Sequence, residues 1–235
     1  QELAALVDSN TAFALDMYQQ VRDEKDGNIF FSPHSISTAV AMTYAGAAGA
    51  TAEEMAEALH FDQACSELHA VFNALDLKLA SLGKAQKGDG FKFVIANALW
   101  GQQGFDFLQP FLQVLGRNYG AGMHSVDFRG NPEAARQEIA GGIEDRTEDK
   151  IKNMPPPGTI DEQTRLVLAN AMYFLASWAE PFNEDQTKPQ PFHLLDDTEA
   201  DVPMMHETES FGYADGNDYQ AVELPYDGHD FSMVV

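Results

Sequence analysis

The hydroxyls of Ser32 and Ser35 and the thiol of Cys65 are the candidate nucleophiles of this chain. A serine or cysteine attacks a carbonyl efficiently only when a base or a positive charge activates it. Ser32 precedes Pro33, and this pair is typical of a helix start, where the serine hydroxyl caps free backbone N–H groups. No activating group flanks Cys65, which favours a packed or half-exposed thiol. We therefore predict no catalytic residue here.

A metal site would need histidine, cysteine or carboxylate side chains at ligand spacing. His193, His206 and His229 lie in an acidic part of the chain and could meet in space, but no pair has that spacing. Scattered surface histidines are the favoured interpretation. The sequence also lacks the hydrolase elbow, the zinc-protease motif, the phosphate loop and the dinucleotide fingerprint. We predict no metal, no cofactor and no enzymatic activity.

The charge is strongly acidic, with 14 Lys and Arg against 37 Asp and Glu and a net charge of −23. Phosphate groups are bound by basic surfaces, so nucleic acid and an anionic membrane are excluded as partners. No Lys or Arg follows Lys188, and this acidic segment is either a solvated surface, which we favour, or a docking face for a basic partner. No apolar run is long enough to span a bilayer. Cys65 is the single cysteine, which is compatible with the cytosol or with a secreted protein.

Helical spacing dominates the first part of the chain, and short strand-like runs separated by Gly, Asp and Pro follow Trp178. Helices with scattered strands, then a strand-rich region, predict an α+β fold in one domain, residues 1–235. Within the first part we predict a short strand at Ile29–Phe31. A capping box at Thr51–Glu54 predicts the start of a helix. Phe91–Trp100 has the composition of a buried strand.

The run Thr164–Phe174 predicts a long strand with apolar side chains on both faces. Such a strand is typical of the middle of a sheet that is covered above and below. Asn170 breaks the pattern, because a buried amide requires hydrogen-bond partners. We therefore expect the polar contacts of this strand to have a specific role.

The chain begins at Gln1 without a methionine and stops inside the apolar run Phe231–Val235. A strand at that point still needs neighbours. We expect an incomplete domain, whose missing C-terminal part was removed or is present as a second chain.

Several strings together resemble the serpin family, in the order expected for that family and over nearly the whole chain. The resemblance includes the central strand, the residues that follow it and the segment that leads into it. The strings are Asn28-Ile29-Phe30-Phe31-Ser32-Pro33-His34-Ser35-Ile36, Thr147–Asp161, Leu168-Ala169-Asn170-Ala171-Met172-Tyr173-Phe174 with Trp178 and Pro181-Phe182, and Val222-Glu223-Leu224-Pro225-Tyr226.

The resemblance implies a three-sheet α+β domain and an inhibitor of serine proteases, or of cysteine proteases. In serpins a protease cleaves an exposed reactive loop and forms an acyl-enzyme. The loop then inserts into the main sheet and traps the protease, so that the serpin acts as a suicide substrate. By resemblance the reactive loop would lie downstream of Val235. The active form would be a monomer that is able to form loop-sheet polymers. We expect the protein to be extracellular or periplasmic, and a cytoplasmic location is the alternative. The alternative is a non-inhibitory serpin with a chaperone, carrier or storage role.

The resemblance also assigns candidate sites. Ser32, Ser35 and Asn170 match the polar "shutter", whose side chains hold neighbouring strands together and must let them part. A core amide with no gating role is the alternative for Asn170. Trp178 matches the aromatic at the "breach", where the loop first enters, although a large core residue would look the same. One departure is Ala140-Gly141-Gly142-Ile143, where the family usually carries a tryptophan. Paired glycines there predict a locally frayed helix.

Overall fold

The computed structural model describes residues 1–24, 27–61, 65–82, 91–194 and 196–235. Helices precede most of the strands, so the predicted α+β class is confirmed. The helices are α1 (Glu2–Glu24), α2 (Pro33–Tyr44), α3 (Ala50–Ala58), α4 (Cys65–Ser81), α5 (Gln109–Tyr119) and α6 (Pro132–Arg146). The strands are β1 (Lys92–Gln102), β2 (Met123–Val126), β3 (Leu166–Leu175), β4 (Lys188–His193), β5 (Glu199–Met204), β6 (Gly212–Asp215), β7 (Gln220–Pro225) and β8 (Ser232–Val234).

The chain forms two compact units. The first consists of Gln1–Ala80 and Val94–Tyr173, and the second of Ser81–Phe93 and Phe174–Val235. The first unit holds most of the helices and a sheet with the strand order β2-β1-β3. The second holds the remaining strands.

Both faces of the sheet in the first unit are covered by apolar side chains. Alternate residues of a strand point to opposite faces, and β1 accordingly sends Leu99 into one core and Trp100 into another. The first core is built by α1, α2, α4 and α5, and the second by α6 together with β2. Along β3, Leu168 packs against the first core and Ala169 against the second. The prediction of a strand that is apolar on both faces is therefore confirmed.

Within the described residues β3 has one paired neighbour, so the predicted position of this strand in the middle of its sheet stays a prediction. β1 lies at the centre, paired in parallel with β2 from Leu99↔Met123 to Gln102↔Val126, and β3 lies on the other side of β1. Most of β3 is half-buried, whereas β1 is buried from Ala98 to Gln102. An apolar composition on both faces shows what covers a strand, but it does not show how many strands pair with it.

Two local predictions are wrong. Ile29–Phe31 forms no strand, and Phe30 is fully exposed, because no strand among the described residues lies beside it to pair with. The helix expected from Thr51 begins one residue earlier, at Ala50, and its N-cap is Gly49 with φ of 59°, without a side-chain capping bond. The positive φ at Gly49, which glycine adopts without a steric penalty, sets the chain direction into α3.

The second unit consists of two small antiparallel sheets. In one, β4 pairs with β5 from Lys188↔Met204 to His193↔Glu199. In the other, β7 lies between β6 and β8. Aromatic rings supply much of its packing, and the Phe231 ring lies 5.3 Å from that of Phe91 and 5.9 Å from that of Phe174.

Candidate functional site

The first turn of α2 positions Ser32 and Ser35. Ser32 is the N-cap, and its Oγ accepts a hydrogen bond of 3.3 Å from the Ser35 backbone N–H, while Pro33 occupies the first turn. The predicted capping role of Ser32 is confirmed. The Ser32 hydroxyl also lies 3.8 Å from the sulfur of Met172 on β3. One helix start thus directs two hydroxyl groups towards β3.

Asn170 is satisfied by partners on two other elements. The Ser35 hydroxyl donates to Asn170 Oδ1. Asn170 Nδ2 donates to Asn97 Oδ1 on β1 at 2.7 Å, and Asn97 Nδ2 donates to the backbone carbonyl of Tyr119 at 3.1 Å. We call the three side chains Ser35, Asn170 and Asn97 the polar chain. It joins α2, β3 and β1 and reaches the C-terminal end of α5, so the structure brings Ser35 and Asn170 together as the sequence suggested.

A buried histidine continues this polar region. The hydroxyl of Tyr119 and Nδ1 of His69 on α4 lie 2.7 Å apart, and the two rings meet edge to face. His69 is 2% exposed, and burial lowers its pKa to about 4 because a charged imidazole loses its hydration there. His69 is therefore neutral at physiological pH.

Sequence reasoning missed Asn97, Tyr119 and His69 as members of this region. Asn97 carried a usable signal, since it is an amide within a strand of apolar composition, as Asn170 is. Two amides on neighbouring strands that are both half-buried satisfy each other. His69 carried no such signal, because a single histidine on a helix does not reveal its partner.

An apolar cavity of about 370 Å³ lies beside the polar chain. It is flanked by the Val167–Ala171 part of β3, by Ile139 and Ile143 of α6, and by Ile36 and Ala39 of α2. The cavity therefore places open space along the strand that carries Asn170.

Trp178 lies in the second unit, just beyond the end of β3. Its ring stacks on Tyr226 with centroids 4.7 Å apart and an interplanar angle of 10°, and it meets Phe182 edge to face at 6.0 Å. Trp178 and Tyr226 also form an isolated antiparallel bridge. Trp178 is half-buried, so it is a packed aromatic residue that still borders open space.

The remaining candidates do not gather into a site. Among the described residues, no three His, Cys, Asp or Glu side chains come close enough to hold a metal ion, so His193, His206 and His229 do not meet. The backbone of Cys65 begins α4. None of the described helices is both long and apolar enough to cross a membrane.

Comparison with known proteins identifies the family. The family model "Serpin (serine protease inhibitor)" matches residues 8–235. Human Serpin B3 is 37% identical over 248 residues, covering 98% of this chain and 62% of that protein. Bovine leukocyte elastase inhibitor is 39% identical over 230 residues, covering 97% of this chain and 59% of that protein. The structure of emu (Dromaius novaehollandiae) ovalbumin superposes with a TM-score of 0.89 at 28% identity, over 98% of this chain and 62% of that one.

The chain belongs to the serpin family. It spans about three-fifths of the length of the curated relatives that it matches. The fold and the family inferred from the sequence strings are therefore confirmed. The roles of Ser32, Ser35, Asn170 and Trp178 in conformational control stay predictions.

Proposed function

We propose that the protein containing this chain inhibits serine proteases by a trapping mechanism. A reactive loop is cleaved, an acyl-enzyme forms, and the loop inserts into the main sheet before the acyl bond is hydrolysed. The family and the inhibitor named among its relatives support an inhibitor. A cysteine protease would form the equivalent thioester, and it is included as a target class.

The observation that carries this proposal is the packing of β3, together with the cavity beside it. Within the described residues β3 pairs only with β1, and its side chains alternate between two apolar cores. A strand added beside β3, on the side away from β1, would form backbone hydrogen bonds and bury apolar side chains. The cavity of about 370 Å³ along Val167–Ala171 supplies space beside the same strand. Strand addition here is therefore favourable in both hydrogen bonding and apolar burial.

The polar chain is suited to control the opening of this sheet. Its hydrogen bonds connect β3 to β1 and to the first turn of α2. A half-buried polar network is stable only when every member is satisfied, so it favours discrete arrangements of the strands over gradual ones. We assign to Asn170, Ser35 and Ser32 the role of holding the sheet closed until a strand is added.

Trp178 is the proposed point of first entry. Its stack on Tyr226 fixes one ring face, while its position beside open space leaves part of the indole available. The resemblance to the serpin breach supports this assignment.

A second candidate function is that of a non-inhibitory serpin. The structural similarity to ovalbumin supports this second candidate. Ovalbumin superposes with a TM-score of 0.89, and its name is not that of an inhibitor. In that case the reactive loop would be cleaved without trapping.

The test uses the full-length protein. It is incubated with trypsin-like, chymotrypsin-like, elastase-like and subtilisin-like serine proteases and with a papain-like cysteine protease. Denaturing gels and mass spectrometry then follow the products. A covalent adduct that survives denaturation, together with a released C-terminal peptide, is the expected result. Each protease with its nucleophile chemically blocked is the control and should give no adduct. Clean cleavage without an adduct across the panel would select the non-inhibitory function.

A further inference from the structure

A second cavity, of about 230 Å³, lies in the second unit beside Trp178. We call it the Trp178 cavity. Its walls are mainly aromatic and apolar, and acidic residues complete the lining. The lining residues on which the argument depends are Trp178, Phe182, Phe211, Glu180, Glu207 and Glu209. His229 also contributes to it.

The aromatic wall is held in place before any ligand arrives. The Trp178 indole is stacked on Tyr226, and the Phe182 ring abuts it edge to face. Backbone bonds fix the strand segments behind the wall, because Ala179 N–H donates to the Pro225 carbonyl at 3.0 Å and Asp227 N–H donates to the Ser177 carbonyl at 2.8 Å. A rigid wall loses little conformational freedom when a ligand binds.

The three carboxylates have no cationic partner among the described residues. No Lys or Arg side chain forms an ion pair with Glu180, Glu207 or Glu209 in the part of the chain that the structure describes. Glu207 is half-buried, and its only described hydrogen bond comes from the adjacent Thr208 N–H at 3.1 Å. Since no Lys or Arg follows Lys188, the surrounding segment supplies no lysine or arginine to pair with these carboxylates. The charge of this lining is therefore complementary to an incoming cation.

We propose that the Trp178 cavity binds an arginine side chain presented by a partner polypeptide. A planar guanidinium stacks on an indole face and forms two parallel hydrogen bonds with a carboxylate. Typical small-molecule sites have volumes of about 300–1,000 Å³, and a cavity of about 230 Å³ suits one side chain better than a whole ligand. This assignment gives the acidic segment a docking role, and it holds whether or not the protein traps proteases.

The test is a titration of the full-length protein with the peptide N-acetyl-Ala-Arg-Ala-amide. The Trp178 indole N–H signal is followed in a ¹⁵N–¹H spectrum and is assigned with a Trp178→Phe variant. We expect a saturable shift of this signal. The same peptide with citrulline in place of arginine keeps the shape but loses the charge, and we expect it to bind at least about tenfold more weakly.

A pair of variants with equal charge change separates a built site from general attraction to an acidic protein. Glu207→Gln with Glu209→Gln should weaken arginine-peptide binding at least about tenfold. Asp215→Asn with Asp218→Asn lies in the same unit but outside the cavity, and it should change binding less than about twofold. The proposal is overturned if the Trp178 signal does not shift saturably, if citrulline binds as well as arginine, or if both double variants weaken binding equally.

Discussion

The adjacent glycines of α6 should respond oppositely to alanine. α6 is continuous from Pro132 to Arg146 and passes through Gly141 and Gly142 without interruption. A methyl group added at Gly141 would meet no atom within 4 Å. A methyl group added at Gly142 would lie 2.9 Å from Cζ2 of Trp100. Alanine is therefore intrinsically preferred over glycine at both positions, but only Gly141 has room for the added methyl group.

The magnitudes follow from these two environments. Replacing a helical glycine by alanine stabilises a helix by about 1 kcal/mol, and Gly141→Ala should gain most of this. At Gly142 the same gain is opposed by overpacking, which costs about 1–3 kcal/mol in a packed core. Trp100 is 1% exposed and its ring stacks on His124 at 5.5 Å, so it cannot move aside easily. We expect Gly142→Ala to be neutral to destabilising by about 2 kcal/mol.

The assay is urea unfolding of the full-length protein and of each single variant at neutral pH, with stability compared at the transition midpoint. A third comparison places Gly142→Ala in a Trp100→Phe background, where the smaller ring removes the close contact. In that background the alanine should become stabilising. The reasoning is refuted if Gly142→Ala stabilises the unmodified protein as much as Gly141→Ala does. It is also refuted if the Trp100→Phe background leaves the effect of Gly142→Ala unchanged, because the clash would then lie elsewhere.

Two further predictions concern the polar region around β3. Asn170→Leu removes the acceptor of the Ser35 hydroxyl and the donor to Asn97 Oδ1, at about 1–3 kcal/mol for each unsatisfied group. We therefore expect lower stability and loop-sheet polymers on mild heating, measured by light scattering after size-exclusion chromatography. Val167→Leu serves as a control on the same strand, and an Asn170→Leu variant that stays monomeric would refute the gating role. Because burial lowers the pKa of His69 to about 4 from an ordinary value of 6.5, the unfolded chain binds this proton more tightly. The free energy of unfolding should therefore fall as the pH drops from about 6.5 towards about 4, by at most about 1.4 kcal/mol per pH unit. Urea unfolding at several pH values should show that the free energy of unfolding depends less steeply on pH in His69→Gln than in the unmodified protein. An equal pH dependence would contradict the assignment.

The helices and the cap at Ser32 could be predicted from the sequence because their signals are local. Serine before proline fixes a helix start through bonds within four residues, and the structure shows this arrangement at α2. The pairing of β1 with both β2 and β3 could not be predicted in the same way. Strand order depends on which distant segments pair, and the composition of Leu166–Leu175 contains no information on that. Ile29–Phe31 failed for a related reason, since β-propensity makes a strand only where a neighbour is available.

The candidate site, too, could be predicted from the sequence only in part. The need of Asn170 for partners followed from its residue type and its apolar surroundings, but the identity of Asn97 as a partner required the three-dimensional pairing of β1 with β3. Ser35 was reached only through the family resemblance. The structure then shows the direction of each hydrogen bond: the Ser35 hydroxyl donates to Asn170 Oδ1, and Asn170 Nδ2 donates to Asn97 Oδ1.

The indole of Trp100 gives a physical account of the departure seen in α6. Serpins usually carry a tryptophan in this helix, whereas this chain has Ala140-Gly141-Gly142-Ile143. In this chain the Trp100 indole of β1 occupies the space into which a side chain at Gly142 would project. The Arg146 guanidinium lies 5.9 Å from the same ring and donates to the Gly142 carbonyl at 2.9 Å, so the helix end is held against the indole. A helix weakened by two glycines is thus anchored at its C-terminal turn by a tryptophan of the sheet. If α6 must shift when a strand is added beside β3, this contact is the one that has to yield.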